Sequence, residues 1–230
     1  MTGMSFVVLI SGNGSNLQSI IDTIEAGQIN ARLSAVISNN ADAYGLTRAR
    51  NHAIETRVID HRLYDSRDAF DKALQWCVKE FEPDYIVLAG FMRIIGSAFI
   101  NAYRNKILNI HPSLLPDYKG LNTHRRAIEN RETEHGVSIH LVTAELDAGP
   151  VLMLGRYNIE EGNSVADLQQ KGQRLEHRMY PKVLQWLGEK KLQIGKHGIE
   201  FEHQPLREPI EFGQYREVPI GSLRIRSSTD

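Results

Sequence analysis

Apolar residues recur along this chain in two rhythms, and their alternation predicts the fold. Residues 6–10 form an unbroken apolar run that stops at Ser11-Gly-Asn-Gly14, the pattern of a strand buried on both faces. In the next segment, 16–25, Leu17, Ile20, Ile21 and Ile24 fall at helical spacing, and Gly27 suits the end of that helix. The pair then repeats. A strand at 33–38 precedes a helix at 43–52, and a short strand at 56–59 precedes a longer helix at 66–81, where Ser66 is placed to cap it ahead of Asp68. Pro83-Asp84 opens a strand at 85–89, residues 96–103 read as helical, and 107–110 as a further strand. Strict β-α alternation predicts an α/β fold, a doubly wound, mostly parallel sheet with helices on both faces.

The rhythm changes after residue 130. Residues 136–142 alternate, with Val137, Ile139 and Leu141 on one side, and 150–158 alternate more weakly. These read as late, antiparallel strands added to the sheet. The longest helix is expected at 164–187, with an apolar stripe of Val165, Leu168, Leu175, Met179, Val183 and Leu187, and with Pro181 kinking or interrupting it. From Gly188 only short strand-like pieces follow, at 192–194 and 199–202. Beyond Pro205 the chain is polar, carries Pro209 and Pro219, and has no assignable element. The expected organisation is one domain over 1–190, followed by an extension over 191–230. Repeats and low-complexity segments are absent from the sequence.

Composition narrows the function. With 230 residues, 41% of them hydrophobic, the chain can bury a real core as one large domain. A net charge of −1 gives no footprint for nucleic acid or for an anionic membrane. The single cysteine, Cys77, excludes a disulfide framework and fits a reducing compartment, so a cytoplasmic location is expected. Within its helical stretch Cys77 reads as a small apolar residue rather than a nucleophile. The apolar run at 6–10 is too short for a signal peptide and lacks a basic flank, and no run approaches a membrane span.

The chemistry concentrates in Ile107-Leu-Asn-Ile-His-Pro-Ser-Leu-Leu-Pro116. Asn109 and His111 are two apart, so a strand puts both on one face, and Pro112 ends the strand at once. An amide and an imidazole then sit side by side at the C-terminal end of a strand, where open α/β sheets bind ligands. Asp147, on the Leu146-Asp-Ala-Gly-Pro150 turn, can pair with the imidazole. Such a set can hold a carbonyl oxygen as it becomes an oxyanion and can move a proton. No activated nucleophile is evident, since Ser113 lacks a G-x-S-x-G context. No metal is expected either, because His111, His124, His135 and His140 include no H-E-x-x-H and no cysteine pair.

The loop Ser11-Gly-Asn-Gly-Ser-Asn16 joins the first strand to the first helix, a place where backbone N–H groups favour an anion. A dinucleotide fingerprint fails, because Leu17 stands where the third glycine belongs and Ser38-Asn-Asn40 offers no acid at the end of the second strand. A Walker A loop fails for want of Gly-Lys-Ser/Thr. A monophosphate site is the expectation, with a ligand-free tight turn as the bland alternative.

Four segments in order resemble the phosphoribosylglycinamide (glycinamide ribonucleotide) formyltransferases: Ser11-Gly-Asn-Gly-Ser-Asn-Leu17, Leu88-Ala-Gly-Phe-Met-Arg-Ile94, Asn109-Ile-His-Pro-Ser-Leu-Leu-Pro116 and Glu145-Leu-Asp-Ala-Gly-Pro150. The resemblance covers about residues 5–190. It implies a Rossmann-type formyltransferase fold and transfer of a formyl group from 10-formyltetrahydrofolate, as co-substrate, to the amine of glycinamide ribonucleotide. The resemblance assigns Asn109, His111 and Asp147 to catalysis. Gly14, Ser15 and Asn16 match the phosphate turn, Glu176 matches a residue that holds the glycinamide end, and Gln173 lies one turn before it. Met92, Arg93, Ile94 and Ile95 match the pterin-binding segment, Arg67 matches a folate contact, and Asn109 also faces the folate. For Arg67 and Arg93 the bland alternative is surface charge; for Met92, Ile94 and Ile95 it is core packing. Asn122 stands where some members carry a second histidine near the aspartate, and tuning of activity rather than its loss is expected. Formyltetrahydrofolate deformylase and the catalytic domain of methionyl-tRNA formyltransferase share the Asn-x-His and Asp logic and remain alternatives. Small-molecule partners and a monomer or homodimer are expected, with neither nucleic acid nor membrane.

Overall fold

A computed structural model describes residues 3–196 and 198–213. The strands are β1 (Met4–Ile10), β2 (Ala31–Ser38), β3 (Thr56–Val58), β4 (Tyr85–Leu88), β5 (Ile107–His111), β6 (Glu134–Leu141), β7 (Val151–Asn158), β8 (Leu192–Ile194), β9 (Ile199–Phe201), β10 (Gln204–Pro205) and β11 (Ile210–Glu211). The α-helices are α1 (Ser15–Glu25), α2 (Tyr44–Asn51), α3 (Arg67–Lys79), α4 (Ser97–Ala102), α5 (Thr123–Glu129) and α6 (Val165–Gly188). Eight strands form one sheet in the order β11-β7-β6-β5-β4-β1-β2-β3, and β8, β9 and β10 form a small antiparallel sheet.

Strands β3, β2, β1, β4 and β5 run parallel. The direction then reverses: β6 is antiparallel to β5, and β7 to β6, as the change of rhythm predicts. The apolar run of β1 is explained by burial on both faces. Phe6, Val8 and Ile10 enter one core with Ile20, Leu46, Val183 and Trp186, whereas Val7 and Leu9 enter a second core with Phe70, Leu74 and Phe99. Helices therefore cover both faces, with α1, α2 and α6 on one side and α3 and α4 on the other.

Three points depart from the sequence expectation. Helix α6 runs unbroken from Val165 to Gly188 through the buried Pro181, so the expected interruption is absent. Only one ladder bond, to the carbonyl four residues earlier, is lost there, and the buried Tyr180, Val183 and Leu184 hold both halves against the sheet. Helix α5 had no counterpart in the apolar pattern, since it buries only Thr123 and Ala127. The segment after Pro205 returns to the main sheet, where β11 pairs in parallel with β7 and Arg156 bonds both Glu134 and Glu211. Pro219 lies outside the described residues.

Tyr180 fastens the layers where the catalytic strand begins to open. Its fully buried hydroxyl lies 3.0 Å from both the Leu88 carbonyl, at the end of β4, and the Leu108 carbonyl of the neighbouring β5. Among the described residues, no helix is long and apolar enough to cross a membrane.

Candidate active site

Asn109 and His111 close β5 and point to one face, and Pro112 ends the ladder as expected. The loop beyond is held by Ser138, whose hydroxyl donates to the Ser113 carbonyl at 2.6 Å and accepts from Leu115 N–H at 2.9 Å. The Leu115–Pro116 peptide bond in this loop is cis. Asp147 comes from the β6–β7 connection. It adopts a left-handed conformation, φ 47°, which a short polar side chain tolerates. The connection folds tightly onto β6 because Gly149 has no Cβ; one would collide with the Leu141 carbonyl.

These elements bring the three side chains together. His111 Nδ1 is 3.4 Å from Asp147 Oδ2, and His111 Nε2 is 3.0 Å from the Tyr118 carbonyl. Both neighbours are acceptors, so both ring nitrogens are placed to donate. Asp147 Oδ2 also accepts from Gly120 N–H at 2.9 Å, which fixes the carboxylate.

A further histidine completes the set. His140 stands opposite Asn109 in the β5–β6 ladder, and its Nε2 lies 3.0 Å from Asn109 Nδ2. Its Nδ1 faces the Leu141 carbonyl at 2.9 Å, and burial pushes the ring's pKa down, toward the neutral form. A neutral ring with its proton on Nδ1 accepts at Nε2. Asn109 is thereby oriented with one amide hydrogen used and one left for a ligand. His140 Nε2 is also 3.7 Å from Asp147 Oδ1. The strand register that makes this pair is invisible in the sequence, where His140 reads only as one of four histidines with no metal motif. Asn122, by contrast, sits exposed at the N-terminus of α5 with φ 58°.

The glycine loop has the backbone geometry that an anion would need. Gly14 has φ 73°, and a Cβ there would lie 2.7 Å from Gly45 Cα. Helix α1 opens without a side-chain cap and without an acidic residue in its first turn, so its leading N–H groups are available. Arg48 clamps the loop, donating to the Asn13 carbonyl at 3.0 Å, Asn13 Oδ1 at 3.1 Å and Gln18 Oε1 at 3.2 Å. Sequence patterning offered no signal for this arginine. Helix α6 supplies the opposite wall: Gln173 donates to Ser15 Oγ at 2.9 Å, and Glu176 accepts from Asn16 Nδ2 at 2.7 Å. Burial pushes the Glu176 carboxyl pKa up, partly offset by that bond and by the charge of His111, so the loop and the catalytic cluster share one electrostatic environment.

The segment 91–95 leaves β4 beside both. Its only intramolecular backbone bond among the described residues is Met92 N–H to Ser11 Oγ, 2.7 Å. Met92 and Ile94 are exposed, at 72% and 62%, while Ile95 is buried. Unpaired backbone and exposed apolar side chains suit a flat heteroaromatic ligand. Arg67 and Arg93 are exposed and near Asp71, with no ion pair among the described residues. No cluster of three His, Cys, Asp or Glu residues is arranged to hold a metal among the described residues.

This geometry has relatives. Residues 4–184 match the family described as Formyl transferase. The chain belongs to the formyl transferase family. It is 46% identical over 203 residues to phosphoribosylglycinamide formyltransferase of Escherichia coli (strain K12), covering 88% of this chain and 96% of that one. It is 41% identical over 191 residues to the human trifunctional purine biosynthetic protein adenosine-3, covering 83% of this chain but 19% of that longer protein. The fold superposes on the phosphoribosylglycinamide formyltransferase of Coxiella burnetii with a TM-score of 0.86 at 45% identity, covering 91% and 99% of the two chains. This formyltransferase thus shares both sequence and architecture with them over nearly all its described length.

Proposed function

We propose that this chain is a phosphoribosylglycinamide formyltransferase of purine biosynthesis, moving the formyl group of 10-formyltetrahydrofolate directly to the amine of glycinamide ribonucleotide. The observation that carries the reading is the meeting of Asn109, His111 and Asp147 at the end of β5, beside an anion loop that Arg48 and α6 hold open. The relatives' names agree with it. The proposed labour is divided along the chain. The N-terminal half, through Gly14, Ser15 and Asn16, takes the phosphate, with Gln173 and Glu176 on the acceptor's other side. The C-terminal half carries catalysis, and Arg67, Met92, Arg93, Ile94 and Ile95 hold the folate. Both functions are proposed to lie within residues up to about 190.

In the proposed reaction the ribonucleotide amine attacks the formyl carbon. Asn109, through its remaining amide hydrogen, and His111, through the positive charge of a ring that donates from both nitrogens, stabilise the negative charge that develops on the formyl oxygen. Asp147 orients the imidazole and accepts the proton the amine loses, through water. As the carbon–N10 bond breaks, the departing folate nitrogen takes up a proton, so charge and atoms balance. A partly buried carboxyl such as Glu176, its pKa pushed up by burial, suits a hydrogen bond to the glycinamide end. No nucleic acid and no metal enter this scheme, and the enzyme is proposed to work in the cytoplasm as a monomer or homodimer.

The test is loss of 10-formyltetrahydrofolate, followed by absorbance, with and without glycinamide ribonucleotide. Turnover that requires the ribonucleotide is expected. Turnover without it would mean a deformylase, the alternative that uses the same three residues with water as acceptor. The open helix terminus favours a phosphorylated acceptor over water.

A further inference from the structure

Ser11 is shared by the two loops that flank the reaction. Its N–H donates to the Gly90 carbonyl at 3.1 Å, and its hydroxyl accepts from Met92 N–H at 2.7 Å. The same hydroxyl donates to Asn39 Oδ1 at the end of β2. Asn39 is 5% exposed and its Nδ2 faces His61 Nδ1 at 3.1 Å. A line of hydrogen bonds thus crosses the ends of three neighbouring parallel strands, β2, β1 and β4. The segment beyond Met92 depends on it. Phe91 and residues 93–95 make no backbone hydrogen bond among the described residues. The next anchor is Gly96 N–H, which donates to the buried Asp71 carboxylate at 2.7 Å. Phe91 and Ile95 pack against the core below, but the backbone of the loop is hydrogen-bonded only at its two ends, to two side chains, and one of them lies three residues before Gly14.

We propose that Ser11 is a positioning residue that couples the two substrate sites, so that ribonucleotide on the glycine loop and folate on the 91–95 segment each tighten the other's binding. The proposal rests on the functional reading above. Ordering either segment restrains Ser11, and a restrained Ser11 fixes Met92 N–H and the backbone that follows. The second ligand then meets a loop whose ordering cost has already been met, which is a coupling free energy and must be reciprocal.

The experiment measures the Kd of tetrahydrofolate, which carries no formyl group to transfer, by anaerobic titration calorimetry with and without saturating glycinamide ribonucleotide. The reverse titration gives the same ratio if the system is at equilibrium. The wild-type protein is expected to show a ratio of about fivefold or more, the lower end of ordinary couplings. Ser11→Ala keeps the Gly90 bond but loses the hydroxyl, and its ratio should fall toward one while ribonucleotide alone still binds. Ser11→Thr keeps the hydroxyl and should retain the ratio. A residue of merely structural importance would weaken both separate affinities and leave their ratio unchanged. A wild-type ratio of one, or a Ser11→Ala protein with the full ratio, overturns the proposal while leaving the proposed function intact. A wild-type protein that binds neither ligand overturns both. Should Ser11→Ala fail to fold, Asn39→Ala releases the hydroxyl from its acceptor with Ser11 in place; a lowered ratio supports the coupling and an unaltered one refutes it.

Discussion

His111 Nδ1 and Asp147 Oδ2 face each other at 3.4 Å, with side chains only 7% and 9% exposed. A carboxylate so placed acts chiefly when charge develops next to it. Asp147→Asn should therefore lower kcat about 10²- to 10⁴-fold, the range of general acid–base assistance, with little change in KM. Steady-state kinetics decide the matter: a raised KM with normal kcat would assign Asp147 to binding.

Asn109 and His140 act as a pair. Asn109→Ala removes an oxyanion donor and should cost about 10²- to 10³-fold in kcat. His140→Leu leaves Asn109 present but unoriented, so it should cost less than Asn109→Ala. In the double variant the losses should be far from additive, since the two residues work through one amide. Additive losses would show that His140 acts independently, through Asp147.

Arg48→Met keeps the apolar stem beside Gly14 and removes the donors that clamp Asn13. The KM for ribonucleotide should rise roughly tenfold, the size of one charge-assisted hydrogen bond, with the folate KM nearly unchanged. Equal rises in both would place the arginine's influence beyond the phosphate loop.

Burial holds the His124 pKa down, from 6.5 to about 4. A depressed histidine lends the fold stability that is fully present above its unfolded pKa and is lost as pH falls toward the folded one. Thermal melts should therefore fall in Tm from about pH 6.5 down to about pH 4. His124→Gln should make that slope shallower but not flat, because burial also pushes His135, His140 and His177 down. An unchanged slope would remove His124 from the acid response.

Tyr180→Phe takes one hydroxyl from two buried carbonyls and fills nearly the same volume. Unfolding in denaturant should show a loss of about 0.5–1.5 kcal/mol, the net worth of one buried hydrogen bond, since both carbonyls keep their places in the β4–β5 ladder. A neutral result would mean that the hydroxyl adds nothing to the ladder bonds already made.

Strands buried on both faces were legible because such strands are apolar throughout, as in β1 and in Ile86 to Leu88. Asn109 and His111 were legible because a two-residue step and a proline fix a shared face and an end. Helix α5 was not, since its short run of Thr-His-Arg-Arg-Ala-Ile-Glu buries two residues and has no stripe. His140, Arg48 and the Tyr118 carbonyl act through neighbours 31, 35 and 7 positions away, so only strand register and loop closure bring them in. β11 escaped for the same reason, its whole meaning being the distant β7 it pairs with.

The eight-stranded sheet is bordered by its two shortest strands, β3 with three residues and β11 with two. A margin that brief is a poor template for another chain, and at β11 the Arg156–Glu211 pair puts charge against it. The returning segment thus caps Met153 and Leu154 of the eight-residue β7 and interrupts what would otherwise be a long bare edge, the kind that invites edge-to-edge stacking.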